Sequence, residues 1–174
     1  MSKSIVSRRK FIRNTAIAGA GFSIVPSYTV SGLGHKAPSD KLNIVGVGVG
    51  GKGHANLLAM GSENIIGLCD VDWKYSDNCF KAFPKARKFN DWRRMFDDLG
   101  DSMDAVMVAT ADHSHAIIAA KALSMGKHVY CQKPLTHSVY ESRLLTNLAA
   151  KHRVATQMGN QGNSGIGVRT VCEW

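Results

Sequence analysis

The stretch GVGVGGKGH, residues 46–54, constrains this chain more than any other. It holds two overlapping matches to Gly-x-Gly-x-x-Gly, one starting at Gly46 and one at Gly48. A glycine pattern alone says little in a chain with 17 glycines, so its surroundings carry the weight. An apolar run, 42–47, precedes it and reads as a strand buried on both faces of a parallel sheet. Residues 52–60 read as a helix, and a second apolar strand, 64–68, ends at Cys69-Asp70. Strand, glycine loop, helix, strand and acid in that order form a dinucleotide-binding unit. In the register that starts at Gly48, that residue makes the tight turn. Gly50 lets the backbone approach a pyrophosphate, Gly51 belongs to the same phosphate loop, and Gly53 allows helix-on-strand packing. The pyrophosphate is then expected on the helix N-terminus, where the dipole favours negative charge. Asp70 stands 20 residues after Gly50, the distance at which a carboxylate accepts from the adenosine ribose. A carboxylate there repels a 2′-phosphate and favours NAD over NADP.

The rest of the body continues the alternation. Residues 72–83 read as a helix stopped by Pro84, 87–89 as a brief strand, and Asp91 as the N-cap of a helix through 98. Residues 104–109, DAVMVA, form the clearest strand. The helix 113–125 is expected to bury a stripe of Ala116, Ile117, Ala120 and Leu123 and to close at Gly126. Strand 128–131, helix 136–151 and strand 154–157 follow, and a new helix begins near 165. Such βαβ units require a parallel sheet with right-handed crossovers, here a doubly wound α/β Rossmann sheet.

The formal charge of +9, from 22 Lys+Arg and 13 Asp+Glu, would suit a polyanion partner if it were spread over the body. It is not. Residues 1–36 hold six basic and no acidic side chains, leaving 16 basic and 13 acidic beyond them. Without a basic-aromatic stripe in the body, nucleic acid is not an expected partner. The opening segment has a basic stretch, an apolar run over about 15–25, then Pro26 and small polar residues, the order of an export signal. The run is about half of the roughly 20 residues of a membrane span, so no permanent anchor is expected. SRRKFI, 7–12, resembles a twin-arginine signal with Arg8 and Arg9 as the pair. No clear Ala-x-Ala cleavage site accompanies it. Such signals imply a periplasmic protein exported already folded, by the twin-arginine machinery, often with a cofactor loaded.

Cys69, Cys79, Cys131 and Cys172 have neither Cys-x-x-Cys nor zinc-ligand spacing, which leaves buried free thiols as the expectation. Asp112, His113 and His115 lie close in sequence, but two histidines without a third convergent ligand do not make a metal site. A further chemical signal lies at the ends of later strands, where ligands of an open α/β sheet bind. TADHSHA follows DAVMVA, and QKPL follows HVYC. Lys133 is placed there to act as acid or base on a substrate hydroxyl.

Together GVGVGGKG, CDVD, VATADHSHA, GKHVYCQKPL and QMGNQGNS resemble the Gfo/Idh/MocA oxidoreductases across nearly all of residues 40–174. The resemblance implies an NAD(P)-binding Rossmann domain followed by a larger α/β domain with an open, mostly antiparallel sheet. It implies hydride transfer at a hydroxyl-bearing carbon of a sugar, glycoside or polyol. The family's Glu-Lys-Pro motif falls on Gln132, Lys133 and Pro134, which makes Lys133 the matching catalytic lysine and sets Gln132 beside the cofactor. The loop from Thr110 to His115 matches the one that lines the nicotinamide. Two departures stand out. Gln132 brings no charge where the family usually has Glu, and Ala111 replaces a common proline. The implied organisation is a signal and linker over 1–36, a Rossmann domain over 37–160, and over 161–174 the start of a connection to a C-terminal domain absent from this sequence. On that view the chain is a fragment of a homo-oligomeric enzyme and inactive alone. A non-catalytic dinucleotide-binding protein and an enzyme that cleaves glycosides through a transient oxidation are the alternatives.

Overall fold

A computed structural model describes residues 40–174, and Lys41–Trp174 forms one compact unit. Its elements are β1 (Asn43–Val47), α1 (Gly51–Ala59), β2 (Asn64–Cys69), α2 (Asp77–Ala82), β3 (Arg87–Phe89) and α3 (Trp92–Leu99). They continue with β4 (Ala105–Val108), α4 (Asp112–Ser124), β5 (His128–Gln132), α5 (Val139–His152), β6 (Thr156–Gly159), a 3₁₀ turn (Gln161–Ser164) and α6 (Ile166–Glu173). The six strands form one parallel sheet in the order β3-β2-β1-β4-β5-β6, the doubly wound Rossmann arrangement expected. The order reverses between β1 and β4, and the crevice at their carboxyl ends is where such sheets bind ligands.

Each strand feeds both faces of the sheet because successive side chains point to opposite sides. Val45 and Val47 of β1, with Val106 and Val108 of β4, join Met95, Phe96, Ile118 and Leu123 on one face. Ile44 and Met107 join Leu57, Leu68 and Phe80 on the other. Full burial of aliphatic or aromatic side chains of this size contributes about 1.5–3 kcal/mol each. This two-sided burial is why the strands read as continuous apolar runs.

Four local expectations change. On α4 the buried stripe is His115, Ala116, Ile118, Ala119, Ala122 and Leu123, while Ile117 is exposed. The alanines let the helix lie close to the sheet, and this packing overrides the rank of side-chain hydrophobicity. Residues 72–76 are a turn before α2 instead of its first turns: the Asp72 side chain accepts from the Tyr75 amide (2.9 Å), competing with helix bonds. Helix α5 starts at Val139, where Ser138 and Glu141 form a reciprocal capping box. The strand after it starts at Thr156, because Arg153 turns left-handed (φ 54°) and the Val154 amide still bonds to Ala149.

Cys69, Cys79 and Cys131 are buried and free, and Cys172 is exposed and free. No helix among the described residues is long and apolar enough to cross a membrane. Arg8, Arg9 and the rest of the segment read as an export signal lie outside the described residues.

Candidate functional site

The glycine loop joins the end of β1 to α1. Gly48 has φ +75°, a region that costs little only without a β-carbon, and its amide donates to the Cys69 carbonyl (2.9 Å). A β-carbon on Gly48 would stand 2.6 Å from the Ala109 carbonyl oxygen, and one on Gly53 would overlap the Gly48 carbonyl. These two positions hold the end of β1, the end of β4 and the first turn of α1 at a spacing no side chain permits. Gly50 is the extended N-cap of α1, with no side-chain cap and no acidic residue in the first turn. The positive end of the helix therefore faces the crevice without a protein anion in its first turn.

Asp70 closes the loop from β2. Its Oδ2 accepts from the amides of Val49 (2.8 Å) and Gly50 (3.1 Å), and its Oδ1 accepts from Asp72 (3.0 Å). The spacing of 20 residues read from the sequence is thus a direct contact. The carboxylate is fixed at the rim of a cleft of about 780 Å³, which is also lined by Gly48, Gly50, Ala109 and Thr110. The cleft further takes in His113 and Ser114 of the 110–115 loop, as expected, and also Tyr75, Asn90, Asp91, Trp92 and Arg93, which the sequence did not mark as site residues. The signal for the group at 90–93 was available: it follows β3, whose carboxyl end belongs to the same edge. Burial, then the charges of Asp70 and Asp91, pushes the Cys69 thiol up to about 12, so it stays protonated beside the loop.

Thr110 follows β4 and lines the cleft. His115 does not reach it. The ring is 1% exposed and lies between two backbone carbonyls, with Nδ1 2.7 Å from Pro134 O and Nε2 3.1 Å from Thr110 O. It joins the loop after β4 to the loop after β5 from beneath. Ala111 N-caps α4 at φ −66°, the value a proline ring would impose.

Gln132 ends β5 and is 5% exposed; its Oε1 accepts from the Lys133 amide (3.2 Å), and its Nε2 has no partner among the described residues. A β-carbon on Gly159 would meet this carboxamide at 2.8 Å, so β6 packs on it through a glycine. Lys133 is exposed at the same end of the sheet as the glycine loop, and its bond to Pro134 is cis. Among the described residues no group of three His, Cys, Asp or Glu side chains could hold a metal ion.

A dinucleotide fits these residues: a helix N-terminus without a side-chain cap, behind a glycine loop in which a β-carbon at Gly48 or Gly53 would clash, with the Asp70 carboxylate fixed at the rim of the cleft. Similar proteins point the same way. The chain is 28% identical over 120 residues to glucose-6-phosphate 3-dehydrogenase of Bacillus subtilis (strain 168), covering 68% of this chain and 33% of that protein. It is 28% identical over 171 residues to a glycosyl hydrolase family 109 protein of Solibacter usitatus (strain Ellin6076), covering 88% of this chain and 39% of the relative. It therefore spans between a third and two fifths of the length of these relatives. The solved structure of GenD2 from gentamicin A biosynthesis, in complex with NAD, superposes with a TM-score of 0.60 at 29% identity, covering 68% of this chain and 34% of GenD2. Residues 41–160 match the family model described as oxidoreductase family, NAD-binding Rossmann fold. The chain belongs to the Gfo/Idh/MocA oxidoreductases and carries their NAD-binding Rossmann domain.

Proposed function

We propose that the whole protein is an NAD-dependent oxidoreductase that removes hydride from a hydroxyl-bearing carbon of a sugar, glycoside or polyol. The observation that carries this reading is the Asp70 carboxylate pinned to the amides of Val49 and Gly50 at the rim of the cleft. Bound NAD supplies the hydride acceptor. The chain's own residues do the rest. The first turn of α1 holds the diphosphate, and Asp70 accepts from the ribose hydroxyls. Lys133, projecting from the end of β5, takes the proton of the substrate hydroxyl at Nζ. Gln132 fixes the Lys133 backbone through its Oε1, and His115 ties the Pro134 carbonyl to the loop that carries Thr110.

Export through the twin-arginine pathway with the cofactor already bound belongs to the same proposal, and so does assembly into a homo-oligomer. A cofactor held through the catalytic cycle removes the need for free NAD outside the cytoplasm.

Lys133→Met in the full-length protein tests the chemistry. Loss of a positioned acid–base group lowers turnover by about 10²–10⁴-fold, and the cofactor stays bound. Full activity in the variant would overturn Lys133 as the proton carrier. A second reading, glycoside cleavage through transient oxidation, draws support from the glycosyl hydrolase family 109 relative, whose alignment covers 88% of the chain against 68% for the dehydrogenase. It predicts release of a free sugar with no net NADH.

A further inference from the structure

Tyr75 is 66% exposed, yet its ring is seated on the glycine loop. A β-carbon on Gly50 would overlap Cδ1 and Cε1 of the ring, and one on Gly51 would overlap the phenol oxygen. These two glycines thus make room for an aromatic ring as well as for the backbone turn. The hydroxyl stands at the first residue of α1 and has no partner among the described residues. Beneath the ring, Ser76 is 1% exposed with an unpartnered Oγ, 3.2 Å from where a β-carbon of Gly50 would stand. The Tyr75 hydroxyl thus stands in the cleft at a helix N-terminus without a side-chain cap, on a seat whose buried Ser76 hydroxyl is left unpartnered.

The backbone that presents them is fastened to the acid of the site. The Asp72 amide donates to Asp70 Oδ1 (3.0 Å), the Tyr75 amide donates to Asp72 Oδ1 (2.9 Å), and the Ser76 amide donates to the Asp72 carbonyl (3.1 Å). This chain of bonds is the reason 72–76 is a turn, and the turn swings Tyr75 over the loop.

We propose that Tyr75, which lines the cleft beside Gly48, Gly50 and Asp70, binds the diphosphate of the dinucleotide: its hydroxyl donates to a phosphate oxygen at the N-terminus of α1, and its ring covers the loop from solvent. The proposal rests on the NAD reading above and adds the residue that governs how tightly the cofactor is held. A hydrogen bond to a charged group is among the stronger ones, and the diphosphate is the charged part of the ligand.

The test is a titration of the full-length protein, stripped of nucleotide, with NAD, ADP-ribose and adenosine. Tyr75→Phe keeps the ring and removes the donor. It should weaken NAD and ADP-ribose by roughly tenfold or more and leave adenosine, which has no phosphate, unchanged. Tyr75→Ala should weaken the first two further. Unaltered NAD and ADP-ribose affinity in Tyr75→Phe would overturn the proposal, and so would an equal loss for adenosine. A wild-type protein that binds neither NAD nor ADP-ribose would overturn the NAD reading itself, a result separable from both.

Discussion

Cys69 shows how strongly single residues feel this fold: burial beside two carboxylates pushes its thiol up to about 12, and burial pushes Cys131 to about 12 and Cys79 to about 11. The thiolate is the reactive form, so these three side chains are inert near neutral pH. Iodoacetamide at pH 8 is expected to label Cys172 in the native protein and all four cysteines once it is unfolded. Rapid labelling of Cys69 or Cys131 in the native state, read by peptide mass mapping, would contradict the burial described. The sign for stability follows. Folded pKa values raised above the ordinary 9.0 leave stability intact below about pH 9, and it is lost as the pH climbs toward 11 and 12. His115 makes the complementary point. Its place in a family-like loop was legible in the sequence, but its burial between two carbonyls was not, because those acceptors lie five and nineteen residues away.

Among the elements, the strand–loop–helix–strand unit was the most legible, because buried parallel strands are apolar on both faces and a glycine cradle tolerates few substitutes. The start of α2 was not: helix-compatible residues at 72–76 are diverted by a side-chain acceptor whose own position depends on Asp70. The stripe on α4 failed for a related reason, since helix-on-sheet spacing favours Ala119 and Ala122 over Ile117. The loop that opens α4 offers a test of element-level strain. Ala111 already holds φ −66°, and its amide makes no hydrogen bond among the described residues. Ala111→Pro should therefore stabilise the domain by about 0.4–1 kcal/mol through the unfolded chain. Chemical denaturation checks this, and a destabilised variant would mean that Thr110 cannot adopt the conformation required before proline.

At the scale of the whole molecule, the sequence's most conspicuous number, +9, turns out to describe its first 36 residues more than its body. In the proposal above those residues are an address. Replacing both Arg8 and Arg9 with Lys should hold the full-length protein in the cytoplasm, as read by cell fractionation, and unchanged export would remove the twin-arginine assignment. The sheet's topology decided where the cofactor site lies, and the Gly-x-Gly-x-x-Gly context pointed to it from the sequence. Tyr75 was hidden because its turn follows a path set by bonds to Asp70 and Asp72, whereas 90–93, the segment after β3 that caps and opens α3, could have been placed from its position at the carboxyl end of a strand. The central claim is that the loop at 48–53 and Asp70 hold NAD. Its most direct measurement is to purify the full-length protein, denature it and identify the released nucleotide by mass spectrometry, with titration of the stripped protein as the companion. NAD(H) is expected on release, with saturable binding of NAD in preference to NADP. A protein that releases no dinucleotide and, once stripped, binds none would contradict the claim.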